Sequence, residues 1–562
     1  MSIRHRRREE RASSYFANRS RTKYGLKANK LLAHAHDSSV SRLLPEILVL
    51  IFAFLAEVSP TTNSSGDAPE GIGRPQGRLG WIIVTHVCSF WRQVALDHRT
   101  LWTHHRFDLG LEWTAEMLRR AGDAPLKLTF SEEFVPFPPS QSDAATVISR
   151  LLYRVSALTV EEGALTLRVL DSLASPAPLL DSLRITSSQL ALLPQSLFSG
   201  NVPKLRNLHL GNVFPPWATA AFTGLKRLCV AIDRHMEVSH IPTYPELFDS
   251  LQSMPQLEVL ALRGCLPLGP FPHSLVDQMT EVPKLQHLCL DGHTFGCRQI
   301  LEHLHFPPEA AVLLTCLTDD LTGQDCCDIL PLLISRLPRP SLGTLHVSWK
   351  DRFDRTFHIS GDSIREEDEQ PQTQSLSRRE TRLSVRFNFK FLLWGTEQKV
   401  RMLKAVCSAL PTEELRVLTG TLDLGKDAWP EVFGDHPRLQ HIRIGSLPTL
   451  HSVVPFLSQE GVYPDLRSLT LVNVDLSPKP SETITLMKQL NSNGPPKMST
   501  VIIDACRVKR ELVRAMREAA PDLEIQWDED ENQEGFDNLK YRISPVRKIA
   551  LYYDSRTTWL LS

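Results

Sequence analysis

Side chains of the kind that do chemistry are scattered along this 562-residue chain. The tightest grouping is His287, Cys289 and His293, imidazole and thiol groups of the type that bind zinc. A structural zinc site needs four ligands, with carboxylates behind them to orient the imidazoles, and no convincing fourth ligand or carboxylate pattern accompanies these three. The three therefore read as surface positions. Cys326 and Cys327 are adjacent, and no C-x-x-C pair begins a zinc ribbon. Gly71-x-Gly73 lies in a polar, turn-forming stretch, whereas a phosphate loop sits between a strand and a helix. The chain has no G-x-S-x-G elbow, no H-E-x-x-H helix and no P-loop. These observations point to a protein that binds and does not transform, with no catalytic residue, metal or cofactor expected.

The elements that would do the binding start near the N-terminus. Leu44, Ile47, Leu48, Ile51, Phe52 and Leu55 recur at helical spacing, and Val49, Leu50, Ala53 and Phe54 add apolar surface on the other sides. A helix apolar on nearly every face must be covered from more than one direction. A segment of about 60 residues has little mass to do so, which makes a second protein the expected cover. Val84, Val87, Cys88, Trp91 and Ala95 form another stripe, with Arg92 and Gln93 off it, and Leu101-Trp102 follows. Between the halves, Ser59 to Gly77 is rich in Ser, Pro and Gly and is expected to be a mobile loop.

The order Leu43-Leu44-Pro45-Glu46-Ile47-Leu48, Ile51-Phe52, Leu55, then Val87-Cys88, Trp91-Arg92-Gln93-Val94-Ala95 and Leu101-Trp102 resembles an F-box. The phrase Leu79-Gly80-Trp81-Ile82-Ile83-Val84-Thr85-His86-Val87-Cys88 is similar to the expanded fungal F-box family in particular. Leu44 stands where that family usually has a first proline, and the loop after the first helix is longer than in many members. The resemblance implies a three-helix module that binds a Skp-type adaptor, and through it the cullin and RING subunits of a ubiquitin ligase. Leu44, Pro45, Ile47, Leu48, Ile51, Phe52, Val87, Trp91 and Trp102 are the expected adaptor contacts. Some of them must instead hold the module together, and the sequence does not sort the two groups.

Sixty-three basic against 64 acidic side chains argue against a dedicated nucleic-acid binder, which needs domain-wide positive charge. The longest apolar run, Ile47 to Ala56, is about half of what spans a bilayer. The first thirty residues are basic and have no apolar core of the secretory kind, so they read as a nuclear-import patch or a solvated tail. Ten cysteines without regular pairing suit a reducing compartment, cytoplasm or nucleus or both, with Cys88, Cys265, Cys316, Cys407 and Cys506 as small core hydrophobes.

From Leu180 onward a phrase with apolar first, fourth and sixth positions recurs. Examples are Leu180, Leu183, Ile185; Leu205, Leu208, Leu210; Leu225, Leu228, Val230; Leu257, Leu260, Leu262; and Leu285, Leu288, Leu290. Later copies are Leu342, Leu345, Val347; Leu439, Ile442, Ile444; and Leu466, Leu469, Leu471. This is the strand of a leucine-rich repeat, and the prolines before it (Pro203, Pro255, Pro283, Pro437, Pro464) are expected to end the preceding helix. Stacked strand-helix units bury one another's apolar faces, so the expected fold is α/β, a small N-terminal three-helix F-box followed by an irregular leucine-rich-repeat solenoid.

The segments follow: a basic disordered tail over 1–38, the F-box over 39–104 with its insert 59–77, an adaptor region with first repeat-like units over 105–179, repeats over 180–527, and an acidic segment and tail over 528–562. A polar insertion at 351–382 interrupts the repeats. After it Leu383, Val385, Phe387, Phe389 and Phe391 alternate as a strand, in an inserted hairpin with Phe357 and Ile359. Residues between the leucines face outward. Arg184, His209, Arg227, Arg263, His287, His346, His441 and Arg443 make that face mildly basic, either a site for an acidic or phosphorylated target segment or a solvated sheet. The functional expectation is the substrate-recognition subunit of a cullin-RING ligase, non-catalytic, whose repeats hold an unknown target protein. The alternative is a repeat scaffold acting without ubiquitin transfer.

Overall fold

The computed structural model describes residues 43–59, 80–106, 111–130, 148–161, 169–170, 172–233, 240–320, 324–335, 342–350, 356–362, 383–389, 396–410, 412–422, 428–434, 436–459, 461–491 and 498–528. The basic tail, nearly all of the 59–77 insert, and the tail beyond Asp528 lie outside them. The chain divides into two compact units, Met1–Gln141 with Arg154–Ser156, and Ser142–Tyr153 with Ala157–Ser562. Among the described residues no helix is long and apolar enough to cross a membrane.

In the first unit, α1 (Pro45–Val58) starts at its proline, which loses nothing in a first turn whose N–H groups have no helical acceptor. After α1, the Ser59 carbonyl accepts the Trp81 N–H at 2.8 Å and ties the helix to a 3-10 turn, Gly80–His86. The expected continuous stripe from Val84 to Ala95 is broken there. Cys88 is extended (φ −155°) and its Sγ accepts the Trp91 N–H at 3.4 Å, so the thiol caps α2 (Ser89–Asp97) and is only half-buried. A 3-10 turn at Arg99–Trp102, β1 (His104–Arg106), α3 (Leu111–Ala121) and β2 (Leu126–Phe130) complete the unit, with β1 and β2 parallel. Gly122 ends α3 with a positive φ of 55°. Trp102 is the centre of the packing: its indole N–H donates to the Ala95 carbonyl at 2.8 Å, Trp81 meets its ring edge-on at 5.0 Å, and the Arg120 guanidinium lies 4.2 Å from the ring centroid.

The second unit is built on one sheet. Its strands are β3 (Val155–Val160), β4 (Ser182–Leu192), β5 (Asn207–Phe214), β6 (Arg227–Ala231), β7 (Val259–Arg263), β9 (His287–His293), β11 (Ala311–Thr318), β12 (Thr344–Lys350), β13 (Thr356–Asp362), β14 (Leu383–Phe389), β15 (Val417–Thr421), β16 (His441–Ile444), β17 (Ser468–Val472), β18 (Thr500–Asp504) and β19 (Glu524–Trp527). β8 (Thr280–Glu281) and β10 (Leu304–His305) pair separately. Side by side the order is β3-β4-β5-β6-β7-β9-β11-β14-β13-β12-β15-β16-β17-β18-β19, parallel except for β13. In every phrase named from the sequence, the three apolar side chains are buried. Neighbouring phrases pair in register, Leu183 with Leu208, Leu228, Leu260 and Leu288 in turn. This is a mixed helix and parallel-strand repeat architecture.

The prolines do something other than stop helices. Val202, Met254, Val282, His436 and Tyr463 accept from the N–H three residues on (Leu205, Leu257, Leu285, Leu439, Leu466) at 3.1–3.2 Å. Each proline is the second residue of that β-turn, where its fixed φ is already correct. The turn delivers the first leucine of the phrase into the core. Repeats are then stitched by single carbonyls: Asp181 accepts from Arg206 and Asn207, and Arg206 from Lys226 and Arg227, at 2.8–3.0 Å.

Helices α4 (Tyr244–Gln252), α5 (Thr294–His303), α6 (Gln324–Ile334), α7 (Thr396–Ala409), α8 (Ala428–Phe433), α9 (Leu447–Leu457), α10 (Pro480–Asn491) and α11 (Arg510–Ala519) fill the gaps, and from α5 onward each packs on the next. α4 carries a full capping box between Thr243 and Glu246. The 351–382 insertion is not wholly a loop, because it contributes β13. This strand lies antiparallel between β12 and β14, with Phe357, Ile359, Val385 and Phe387 fully buried. Residues 351–355 and 363–382 lie outside the described ones.

Candidate functional site

Two surfaces collect the residues singled out from the sequence. On α1, Leu48 and Phe52 face the interior of the first unit, one helical turn apart. Leu44, Ile47, Ile51, Phe54 and Val58 recur three or four positions apart on another side and are exposed, as is Leu50. Leu44, Leu50, Phe54 and Val58 each keep about two-thirds of their surface accessible, and Ile83, Val87, Phe90 and Leu96 are exposed on the segment that follows. Burying one such side chain against a partner is worth about 1.5–3 kcal/mol. An isolated exposed leucine means little, whereas here ten large apolar side chains are exposed within 53 residues.

The nine expected contacts therefore fall into different places. Leu44, Ile47, Ile51 and Val87 are exposed, and Pro45 and Trp91 are half-buried, with the Trp91 ring 5.2 Å from that of Phe52. Leu48, Phe52 and Trp102 are fully buried and pack the unit internally, so a partner cannot reach them without unfolding it. Leu50, Phe54, Val58, Ile83, Phe90 and Leu96 were not among the expected contacts. For Leu50, Phe54 and Val58 the signal was present in α1, an apolar residue on every side, but helical spacing alone does not say which side is turned inward.

The second surface is the sheet face opposite the leucines. Register places Arg184, His209, Cys229, Ala261, Cys289, Leu313, Ser384, Ser360, His346, Thr419 and Arg443 in one row across eleven strands. Arg227, His287 and His441 belong to the row on one side of it, and Arg263 to the row on the other. The eight residues expected to face a target are thus spread over three rows.

The histidines add less to the expected basic face than the arginines Arg184, Arg227 and Arg443 do. Burial pushes His209 and His346 down to about 4, with Arg184 adding to the effect at His209, and burial also lowers His441. These imidazoles are uncharged at neutral pH. Arg263 is ion-paired with Asp291 at 3.3 Å. A histidine in a strand pattern looks cationic only while its solvation is unknown.

His287 and Cys289 point the same way from β9 and His293 ends that strand, and among the described residues no group of three or more His, Cys, Asp or Glu is placed to hold a metal ion. Cys265, Cys316, Cys407 and Cys506 are buried. Burial raises the Cys265, Cys407 and Cys506 thiols to about 12.

No protein-family profile and no curated protein matches the chain. A solved leucine-rich-repeat protein of Leptospira interrogans aligns with 73% of this chain and 91% of its own at 11% identity, with a TM-score of 0.29. That score is too low to carry the fold, which rests on the strand register.

Proposed function

We propose that the chain is a substrate-recognition subunit of a cullin-RING ubiquitin ligase, with an F-box that binds a Skp-type adaptor and repeats that hold a target protein. The observation that carries this reading is the exposed apolar stripe of α1, on a segment whose residue order resembles an F-box. The protein contributes proximity and no bond chemistry. Holding the target beside the ligase-bound ubiquitin conjugate raises the effective concentration of a target lysine.

The test is capture of a Skp-type adaptor and cullin by the full chain and by a Leu50→Glu, Phe54→Glu double variant. Both positions are exposed, so folding stability should change by less than about 1 kcal/mol. The variant is expected to lose adaptor and cullin together while its circular dichroism melt is unchanged. Adaptor capture without cullin would favour a scaffold acting without ubiquitin transfer, and undiminished capture by the variant would sink the proposed interface.

A further inference from the structure

We infer that the open edge of β19 is a docking surface, and that its occupant is this chain's own segment 546–551, added there as a further parallel strand. The inference concerns the end of the repeat array and does not depend on any ligase role.

One carbonyl per repeat stitches each of the last strands to the next. Gln440 accepts from Arg467 and Ser468, Arg467 from Ser499 and Thr500, and Ser499 from Glu524, at 2.8–3.3 Å. Leu523 stands next in that series, and among the described residues its carbonyl accepts nothing. Within the second unit β19 pairs with β18 alone. The Glu524 N–H points to β18, so the alternating Leu523, Ile525 and Trp527 turn their backbone groups to the open side. There the Arg517 guanidinium donates to the Ile525 carbonyl at 3.0 Å, a side chain in the place of a strand. The Trp527 indole N–H is buried and has no hydrogen-bond partner among the described residues. An edge with unpaired backbone groups is a template for another strand.

The chain carries such a strand phrase beyond β19. Val546, Ile549 and Leu551 are apolar at its first, fourth and sixth positions. Ile549 and Leu551 stand 24 residues after Ile525 and Trp527, the spacing that already separates Val501 and Ile503 from those two residues. Phe536 stands 11 residues after Ile525, as Leu512 of α11 stands 11 after Val501, and Leu539 and Ile543 follow it at helical spacing. Continuing the register sets Ile549 beside Ile525 and Lys548 beside the exposed Glu524, so opposite charges meet across the strands. A second copy of the chain fits less well. Two β19 edges related by a twofold axis would each bring Glu524 and no cation, because β19 has none.

Amide hydrogen exchange on the full chain reads this edge directly. The Ile525 and Trp527 amides should exchange about tenfold or more slowly than in an Ile549→Asp, Leu551→Asp double variant, while β16 and β17 exchange alike in both. Lys548→Glu should speed exchange at β19 roughly two- to fivefold, and Glu524→Lys added to it should restore the slow rate, since the pair then has opposite signs again. If the double variant loosens β16 and β17 as well, the charge swap decides alone. Equal β19 exchange in the parent and the double variant, a charge swap that restores nothing, or protection in the parent that falls on dilution, the mark of a second copy, would each overturn the inference.

Discussion

His105 shows how one side chain couples this protein to pH. It is 1% exposed, and among the described residues neither ring nitrogen has a hydrogen-bond partner. Burial, then the nearby His104 and Arg154, push it from 6.5 down to about 4. The unfolded chain therefore binds the proton more readily than the folded one, and the stabilisation is fully present above pH 6.5 and lost as pH falls toward 4. For a shift of this size the effect is on the order of a few kcal/mol, and His209 and His346 act with the same sign. Urea unfolding of His105→Leu across that window should show a shallower loss of stability than the parent chain; an identical slope would mean that His105 is not the proton acceptor. A second residue explains a repeat the periodicity missed. Leu415 and Leu418 begin the phrase, but its third apolar position is Gly420, where a Cβ would lie 3.4 Å from the Trp429 ring. The leucine is absent because a tryptophan from the next helix fills its space, and no spacing rule anticipates that exchange.

At the scale of elements, strict alternation from Leu383 to Phe389 is enough to read a strand, and Phe357 and Ile359 hint at its neighbour. The order of pairing is another matter. β14 lies parallel beside β11, and β12 is displaced until it meets β15, so three strands are laid down in reverse order within the sheet. The stacked Phe357 and Phe387 rings, 6.3 Å apart and both fully buried, hold the antiparallel strand in place. Phe387→Ala should cost about 3–5 kcal/mol, the usual cost of an aromatic deletion in a close-packed core. Amide exchange over β13 and β14 should then accelerate well before that of β4–β6. The turn prolines teach a related lesson. Sequence spacing located them correctly, but a helix stop and the second position of a β-turn both favour proline, and only the hydrogen bond accepted by the carbonyl of the residue before it distinguishes them.

At the scale of the whole molecule, the second unit is quasi-one-dimensional, because each repeat contacts chiefly the repeats beside it. Damage should therefore stay local. Leu469 is fully buried in β17 and pairs with Ile442 and Val501 on either side. Leu469→Ala should cost about 2–5 kcal/mol and raise amide exchange in β16 to β19 while leaving β4 to β7 protected; uniform loss of protection would show that the repeats unfold as one body. By itself the sequence determined the repeat, the strand phrase and the apolar excess of α1, because these depend on local period and composition. Tertiary structure decided which side of α1 is exposed, which histidines stay neutral and where β13 inserts. Exposure, solvation and strand order are set by residues distant along the chain, and no local window contains them.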